Sequence, residues 1–410
     1  MSGKTRWVEV GVCPMLLLVS LFTTATASEP EVPVIRIRGN SSTQNAPAPQ
    51  QSWHRDTVQT LQRLDIPYAI QDEAVAQDLR SVYVVGQHFV ALWQTQTRRE
   101  AARLDLAPYS QQATTQVKIA LHPTGHRLYV ALDQMNEVAR DKQLPPQHQL
   151  LLLELDPRSL DVLRQLPFGY FEIPANAPTE KVFDFILSEN GRLAYVFGTS
   201  KQNDSGKVGS FAWADLAGWK AGDIAFLQDI VKNSGILAVR EAANWSFTQP
   251  RPLLLASTGR MLIVADAAQQ NVLEGTVRSA KGFVPIRTRA NLAGKELLGV
   301  LQNRLYYLQQ DQLYSVSQDD FNANPIKHCE KVDGVVQFLT QAQAILIGGP
   351  TGLRVYSTKS KQDQHVWPAE NIREPQKAIA NIHVGRFHNQ ALVRLAGNRS
   401  TTTYLLLGQQ

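Results

Sequence analysis

The sequence predicts an all-β fold made of repeated antiparallel sheets, and three observations carry the prediction. From Ser81 onward short β-rich runs alternate with turns, and few segments keep a helical period over about twelve residues. Three segments align without a gap: Leu121–Ala131 (LHPTGHRLYVA), Leu187–Phe197 (LSENGRLAYVF) and Leu255–Ala265 (LASTGRMLIVA). Unit starts near residues 81, 117, 182, 252, 295, 335 and 379 give about seven units, and the later ones recur every 40 to 45 residues or so, the length of a four-stranded blade. The expected architecture is a β-propeller of about seven four-stranded blades over residues 81–410. A β-sandwich or a two-domain all-β protein is the alternative.

The first residues read as a separate unit. Lys4 and Arg6 give a positive start, an apolar run follows from Val10 to Phe22, and Ala25-Thr26-Ala27 precedes Ser28. That order describes a secretory signal peptide over residues 1–27, cleaved between Ala27 and Ser28. The apolar run is about 13 residues, shorter than the 18–20 or so needed to cross a bilayer, which argues against a membrane anchor. No later segment has an unbroken apolar run of that length. The expected address is periplasmic or secreted. Removing the signal takes away Lys4, Arg6 and Glu9, so the formal net charge of +5 falls by one. A mildly basic surface is weak support for an anionic partner. It also removes Cys13, so Cys329 stands alone and cannot form an internal disulfide.

Residues 28–56 are rich in Pro, Ser, Asn and Gln and read as an extended or disordered linker arm. Within it Val32–Arg38 (VPVIRIR) alternates apolar and basic residues, as a strand added to a sheet edge would. Residues 57–80 read as an irregular or partly helical lead-in, with Pro67 as a breaker.

The aligned unit has a local physical cause. One strand ends at the leucine, and a few polar residues with a glycine (Gly125, Gly191, Gly259) make a tight turn. Glycine supplies the positive φ that such turns need. The next strand is almost unbroken apolar, as a strand buried on both faces would be. A second hairpin follows. Gln149–Leu155 turns through Asp156-Pro157-Arg158-Ser159, and Ser210–Ala214 turns through Asp215-Leu216-Ala217-Gly218. Asp bonds the backbone ahead of it and Pro presets φ. Weaker copies begin at Ser81–Trp93, Leu297–Leu308, Val335–Ile347 and Ile379–Leu395. Long spacings between the early units imply insertions within 133–148, 168–181, 200–208 and 228–250, grouped as insertions near 133–148 and 200–250. Ring closure is expected to pair Thr402–Leu407 with an N-terminal strand, either Val32–Arg38 or Ser81–Val85.

The run G-R-L-A-Y-V-F, followed by a D-P-x-S-style turn, resembles the YVTN-type and related bacterial propeller repeats. The resemblance implies a closed ring of blades around a central channel, with ligands at one rim. It specifies a blade and not an activity.

The search for chemistry returns no catalytic, metal or cofactor motif. The nine His are scattered, with no H-E-x-x-H, H-x-H or C-x-x-C. His328 and Cys329 are neighbours, and neighbours on a strand face opposite ways. Gly348-Gly349-Pro350-Thr351-Gly352 lacks a following Lys and reads as a blade turn. Cys329 reads as a buried, inert thiol. The functional expectation is an exported, non-catalytic binding scaffold for a protein or envelope polymer. Two alternatives stand beside it: a propeller enzyme (a lactonase-like hydrolase or an oxidoreductase accessory subunit), and single-stranded DNA binding, which related exported propellers show. DNA stacking needs exposed aromatics among cations. Trp245 and Trp367 lie in loop-like sequence, and Lys201, Lys207 and Arg240 fall in or beside the long 200–250 stretch. Those five are the candidate binding residues. Trp213, inside a strand pattern, reads as core.

Overall fold

The computed structural model describes residues 53 and 58–409, apart from 110–113, 137–146, 173–183, 189, 202–206, 223–224, 242–244, 246–250, 256–259, 266–270, 279–281, 333, 340–342, 369–377, 387–388 and 397–400. The expected signal peptide, its cleavage site and Val32–Arg38 lie outside the described residues. The chain from Gln50 to Gln410 forms one unit. It is a seven-bladed β-propeller, built from seven antiparallel sheets, each with a four-strand path.

The strands follow the chain. Strand β1 (Val58–Ile66) belongs to the last blade. Blade 1 comprises β2 (Asp72–Val75), β3 (Ser81–Val85), β4 (Phe89–Gln94) and β5 (Arg99–Asp105). Blade 2 has β6 (Thr114–Leu121), β7 (Leu128–Asn136), β8 (Gln147–Leu155) and β9 (Val162–Glu172). Blade 3 has β10 (Asp184–Leu187), β11 (Leu193–Lys201), β12 (Lys207–Asp215) and an outer edge split into β13 (Lys220–Ala221) and β14 (Ala225–Phe226). Two short helices follow, α1 (Leu227–Lys232) and α2 (Leu237–Arg240). Blade 4 holds β15 (Arg251–Leu255), β16 (Arg260–Val264), β17 (Val272–Arg278) and β18 (Gly282–Thr288). Blade 5 holds β19 (Glu296–Leu301), β20 (Arg304–Gln309), β21 (Gln312–Ser317) and β22 (Ile326–Cys329). Blade 6 holds β23 (Val335–Leu339), β24 (Ala344–Gly349), β25 (Gly352–Ser357) and β26 (Asp363–Pro368). Blade 7 is β27 (Ile379–Val384), β28 (Gln390–Leu395), β29 (Thr402–Gln409) and then β1.

Two expectations are corrected at the N-terminal side. Residues 57–80 are not a helical lead-in: they supply β1 and the inner strand β2, so blade 1 begins at Asp72 and not at Ser81. The closing strand is β1, whose Val58–Ile66 pair with Gln409–Thr402. Ser81–Val85 lies inside blade 1, between β2 and β4. The misreading has a cause. A register shift between Thr60 and Gln62 leaves Leu61 43% exposed, so Val58, Leu61 and Leu64 mimic a helical spacing on a strand. Trp53, assigned to the arm, is buried among blade 6 and blade 7 residues.

The core lies between blades. Leu150–Leu153 and Leu155 are all buried because β8 packs on both faces: Leu151, Leu153 and Leu155 join residues of blade 1, while Leu150 and Leu152 join residues of blade 3. Strand periodicity of two sends neighbours to opposite faces, so an unbroken apolar run serves two interfaces. The turns behave as their residues dictate. Gly125 and Gly191 take φ of 75° and 66°. Asp156 Oδ1 accepts the amides of Arg158 and Ser159 at 2.8 and 3.1 Å, and Asp215 Oδ1 accepts those of Ala217 and Gly218 at 3.0 and 3.2 Å. Gly348–Gly352 forms the turn between β24 and β25, as expected of a blade turn.

Candidate binding face

Antiparallel strands divide the connections between two ends of the ring. Turns from first to second strand, and from third to fourth, lie at one end, here the turn face. Connections from second to third strand, and from each blade to the next, lie at the other, the loop face. All four predicted insertions fall on the loop face. Residues 133–148 join β7 to β8, 168–181 join β9 to β10, 200–208 join β11 to β12, and 228–250 join β14 to β15. They come from blades 2 and 3 and the passage into blade 4. Here β7, β8, β11 and β12 reach nine residues each and β9 reaches eleven, against four to seven for the strands of blades 1, 4, 5 and 6.

The helical insert is the part of this face with described side chains. Leu227, Val231 and Val239 are buried against Phe197, Phe211 and Phe283, which fixes the two helices to blades 3 and 4. Ile236, just before α2, and Leu237, its first residue, point outward at 41% and 71% exposure. Lys232 and Arg240 are exposed beside them, and Arg240 Nε donates to the Ser234 carbonyl at 2.7 Å. Trp245 is half-buried against the same cluster, and its carbonyl accepts from Gln228 Nε2 at 3.2 Å. Lys201 and Lys207 are opposed in register at the loop-face end of β11 and β12. Four of the five candidate residues thus fall on one face. Trp367 does not. It sits in β26 at 1% exposure, in the core shared by blades 6 and 7, so the sequence reading of an exposed stacking residue is corrected. Trp213 is half-buried within β12 and packs on the blade 3–4 cluster.

The inner strands start at the loop face, so their first residues ring that end of the channel. Asp72, Asp184, Arg251 and Glu296 occupy those positions in blades 1, 3, 4 and 5. Asp72 is tied to blade 2, accepting the Ile119 amide at 2.9 Å, and burial raises its carboxyl.

Sequence reasoning missed a set of buried charge clusters. Glu73, 3% exposed on β2, accepts from Asn381 Nδ2 (2.6 Å), His383 Nε2 (3.1 Å) and Arg394 Nε (3.0 Å), and from the Tyr404 hydroxyl. Burial pushes this carboxyl up, but His383, Arg394 and Tyr404 together outweigh burial and hold it at about 2. Glu274, fully buried on β17, accepts from Arg260 at 3.1 Å, Arg287 at 2.9 Å and Arg289. Glu154 on β8 accepts from Arg127 at 2.7 Å and from Arg164, which also lies over the Trp219 ring at 4.2 Å.

Ser315 and His328 form a hydroxyl–imidazole pair at 2.7 Å, with the Tyr356 hydroxyl 3.0 Å from the other ring nitrogen. Ser315 is fully buried and its oxygen already accepts from Arg304 Nε at 2.7 Å, so a lone pair is taken up by a cation and the hydroxyl is out of reach of a substrate, the opposite of an activated nucleophile. Burial, with Arg304 and Lys361, pushes His328 down to about 4. Burial pushes the Cys329 thiol up to about 12, far from a reactive thiolate. A hollow lined by Gln94, Thr97, Arg99, Glu100 and Ala101 sits on one hairpin at the turn face. Among the described residues no group of three or more His, Cys, Asp or Glu could hold a metal, and no helix is long and apolar enough to cross a membrane.

The chain matches no family model and no curated protein.

Proposed function

We propose that the protein is an exported, non-catalytic scaffold that holds a protein or envelope polymer on the loop face of blades 2 to 4. One observation carries this reading: the four connections that lengthen blades 2 and 3 and the passage into blade 4 all fall on that face, while the longest connection on the opposite face is the eight residues between β21 and β22. Loops that lengthen on one side of a rigid scaffold are where binding residues concentrate. The exposed Ile236 and Leu237, flanked by Lys232 and Arg240, suit a mixed apolar and anionic partner. The basic start, apolar run and Ala25-Thr26-Ala27 support export with cleavage before Ser28, to the periplasm or beyond. The G-R-L-A-Y-V-F unit and its D-P-x-S turn support reading the blades as YVTN-type repeats.

The test uses the purified protein as bait against the envelope fraction of its own cells. Charge reversal at Lys201, Lys207 and Arg240 is expected to release a partner that the wild type retains. Reversal at Arg158 and Lys359, on the turn face, is expected to leave it bound. Equal retention by both variants, or no partner for the wild type, overturns the reading.

A further inference from the structure

Blades 2 and 3 enter their second strands through turns of one design. Leu121 pairs with Leu128 across residues 122–127, and Leu187 pairs with Ala194 across residues 188–193. In each, the amide of the first turn residue donates to the carbonyl of the last: His122 to Arg127 at 2.9 Å, and Ser188 to Leu193 at 2.8 Å. In each, a glycine with positive φ, Gly125 or Gly191, bends the chain. The blade 3 turn holds Ser188, Asn190 and Arg192 where the blade 2 turn holds His122, Thr124 and His126. The backbone of this turn therefore requires an imidazole at neither place.

The two imidazoles of blade 2 lie against each other, with ring centroids 4.1 Å apart. The Nδ1 atoms of both rings meet the Thr124 hydroxyl, that of His122 at 2.9 Å. The Thr124 amide also donates to His122 Nδ1 at 3.2 Å, so this nitrogen presents a lone pair and carries no proton. The opposite edge of the His122 ring is packed on blade 3. A Cβ on Gly191 would lie 2.0 Å from His122 Nε2, so the glycine of the facing turn leaves the room in which the ring sits. His122 is half-buried, while Thr124 and His126 are exposed. Arg127, next in the chain, is paired with Glu154 at 2.7 Å. Two ring nitrogens thus converge on one point at the surface, one from a ring held by the neighbouring blade and one from a ring in solvent.

We propose that His122 and His126 bind a divalent transition-metal ion on the turn face of blade 2. Neutral imidazole nitrogens suit Zn²⁺, Ni²⁺ and Cu²⁺, and of these Cu²⁺ binds a given nitrogen site most tightly. The ion replaces the hydrogen bonds that the Thr124 hydroxyl makes to the two rings, and His126 then carries its proton on Nε2 instead of Nδ1. Two protein ligands are fewer than the three of catalytic zinc sites and the four of structural ones. The site is therefore open and weak, and water or a donor from another molecule completes the coordination. It lies on the opposite face from the blade 2 to 4 insertions, so its occupancy does not depend on what the loop face holds.

Titration of the untagged protein with Cu²⁺, in a buffer that does not chelate it, tests this by calorimetry and electron paramagnetic resonance. The wild type is expected to take up one equivalent, with hyperfine coupling to two nitrogens. His122→Ser, which installs the residue of the blade 3 turn, and His126→Gln are each expected to weaken binding by about tenfold or more, with unchanged far-ultraviolet circular dichroism. His88→Gln, at an exposed imidazole between β3 and β4 on the loop face, is expected to bind as the wild type does. A wild type that takes up no ion, binding that survives either blade 2 substitution, or binding lost with His88 overturns the proposal. Should a blade 2 variant fail to fold, chemical modification of the wild type decides. One equivalent of Cu²⁺ is expected to slow the reaction of His126 with diethyl pyrocarbonate while His88 reacts at an unchanged rate. A His126 rate that is the same with and without the ion overturns the site.

Discussion

At the scale of single residues, the fold depends on a few carboxylates that leave water because donors surround them. Glu73 is the clearest. It lies on blade 1, while Asn381, His383, Arg394 and Tyr404 all belong to blade 7, so one carboxylate fastens the first blade to the last. Its carboxyl is held at about 2 against an ordinary 4.5. A depressed folded value means stabilisation that is complete above the ordinary value and lost as pH falls through the folded one. The difference corresponds to about 3 kcal/mol, present at pH 7 and draining away between pH 4.5 and 2. Glu73→Gln is expected to destabilise the protein by about 3 kcal/mol at pH 7, because Arg394 then lies beside a neutral group. Urea unfolding at pH 7 and pH 3 checks this. The variant should lose less stability on acidification than the wild type, and equal stability at pH 7 would show that the clasp contributes nothing. None of this cluster could be read from the sequence. Glu73 follows Gln71 and Asp72 and reads as part of a polar stretch, and its partners sit over 300 positions away.

At the scale of elements, legibility followed distance along the chain. Turns, strands and blade boundaries from 114 onward were readable because each rests on residues a few places apart. The Leu-to-Gly turn and the Asp-led turn form within single hairpins, and the inner strands begin within a few residues of the predicted starts. A regularity between hairpins was not readable. Arg127, Arg260 and Arg304 stand at the start of the second strand in blades 2, 4 and 5. Each reaches the third-strand residue opposite its own second neighbour: Glu154, Glu274 and Ser315. Residues two apart share a face, which is why the arginine meets that position in all three blades. Close packing between elements was equally silent in sequence. A Cβ on Gly334 would lie 2.0 Å from the Gly348 carbonyl oxygen and 2.8 Å from the Gly349 Cα. Those are backbone atoms of β24 and cannot swing away. Gly334→Ala is expected to cost about 1–3 kcal/mol in chemical unfolding, as overpacking does. Gly235→Ala, in open space on the helical insert, serves as the control expected to change little.

At the scale of the whole molecule, a ring of blades is as stable as its closure, because every blade packs on two neighbours and the first must find the last. Here closure uses the two chain ends. The N-terminal strand β1 completes blade 7 along eight paired positions of β29, and Trp53 reaches on to blade 6, its carbonyl accepting from Gln364 Nε2 at 2.8 Å. Trp53 is 1% exposed and shares a core with Trp367, Val366 and Leu346. The closing strand thus acts with a buried anchor ahead of it, and the two contributions can be separated. Trp53→Ala removes the anchor and leaves β1, so it is expected to cost about 3–5 kcal/mol while unfolding stays a single transition. A chain starting at Tyr68 removes both. It leaves β29 as an open edge of apolar composition and strips the cover from Leu405 and Leu407, so it is expected to aggregate or to unfold in more than one step. A peptide covering residues 50–67, added to that truncated chain, is expected to restore a single transition. If the truncated chain instead unfolds as sharply and at the same urea concentration as the full one, closure through the N-terminal strand is not what holds the ring.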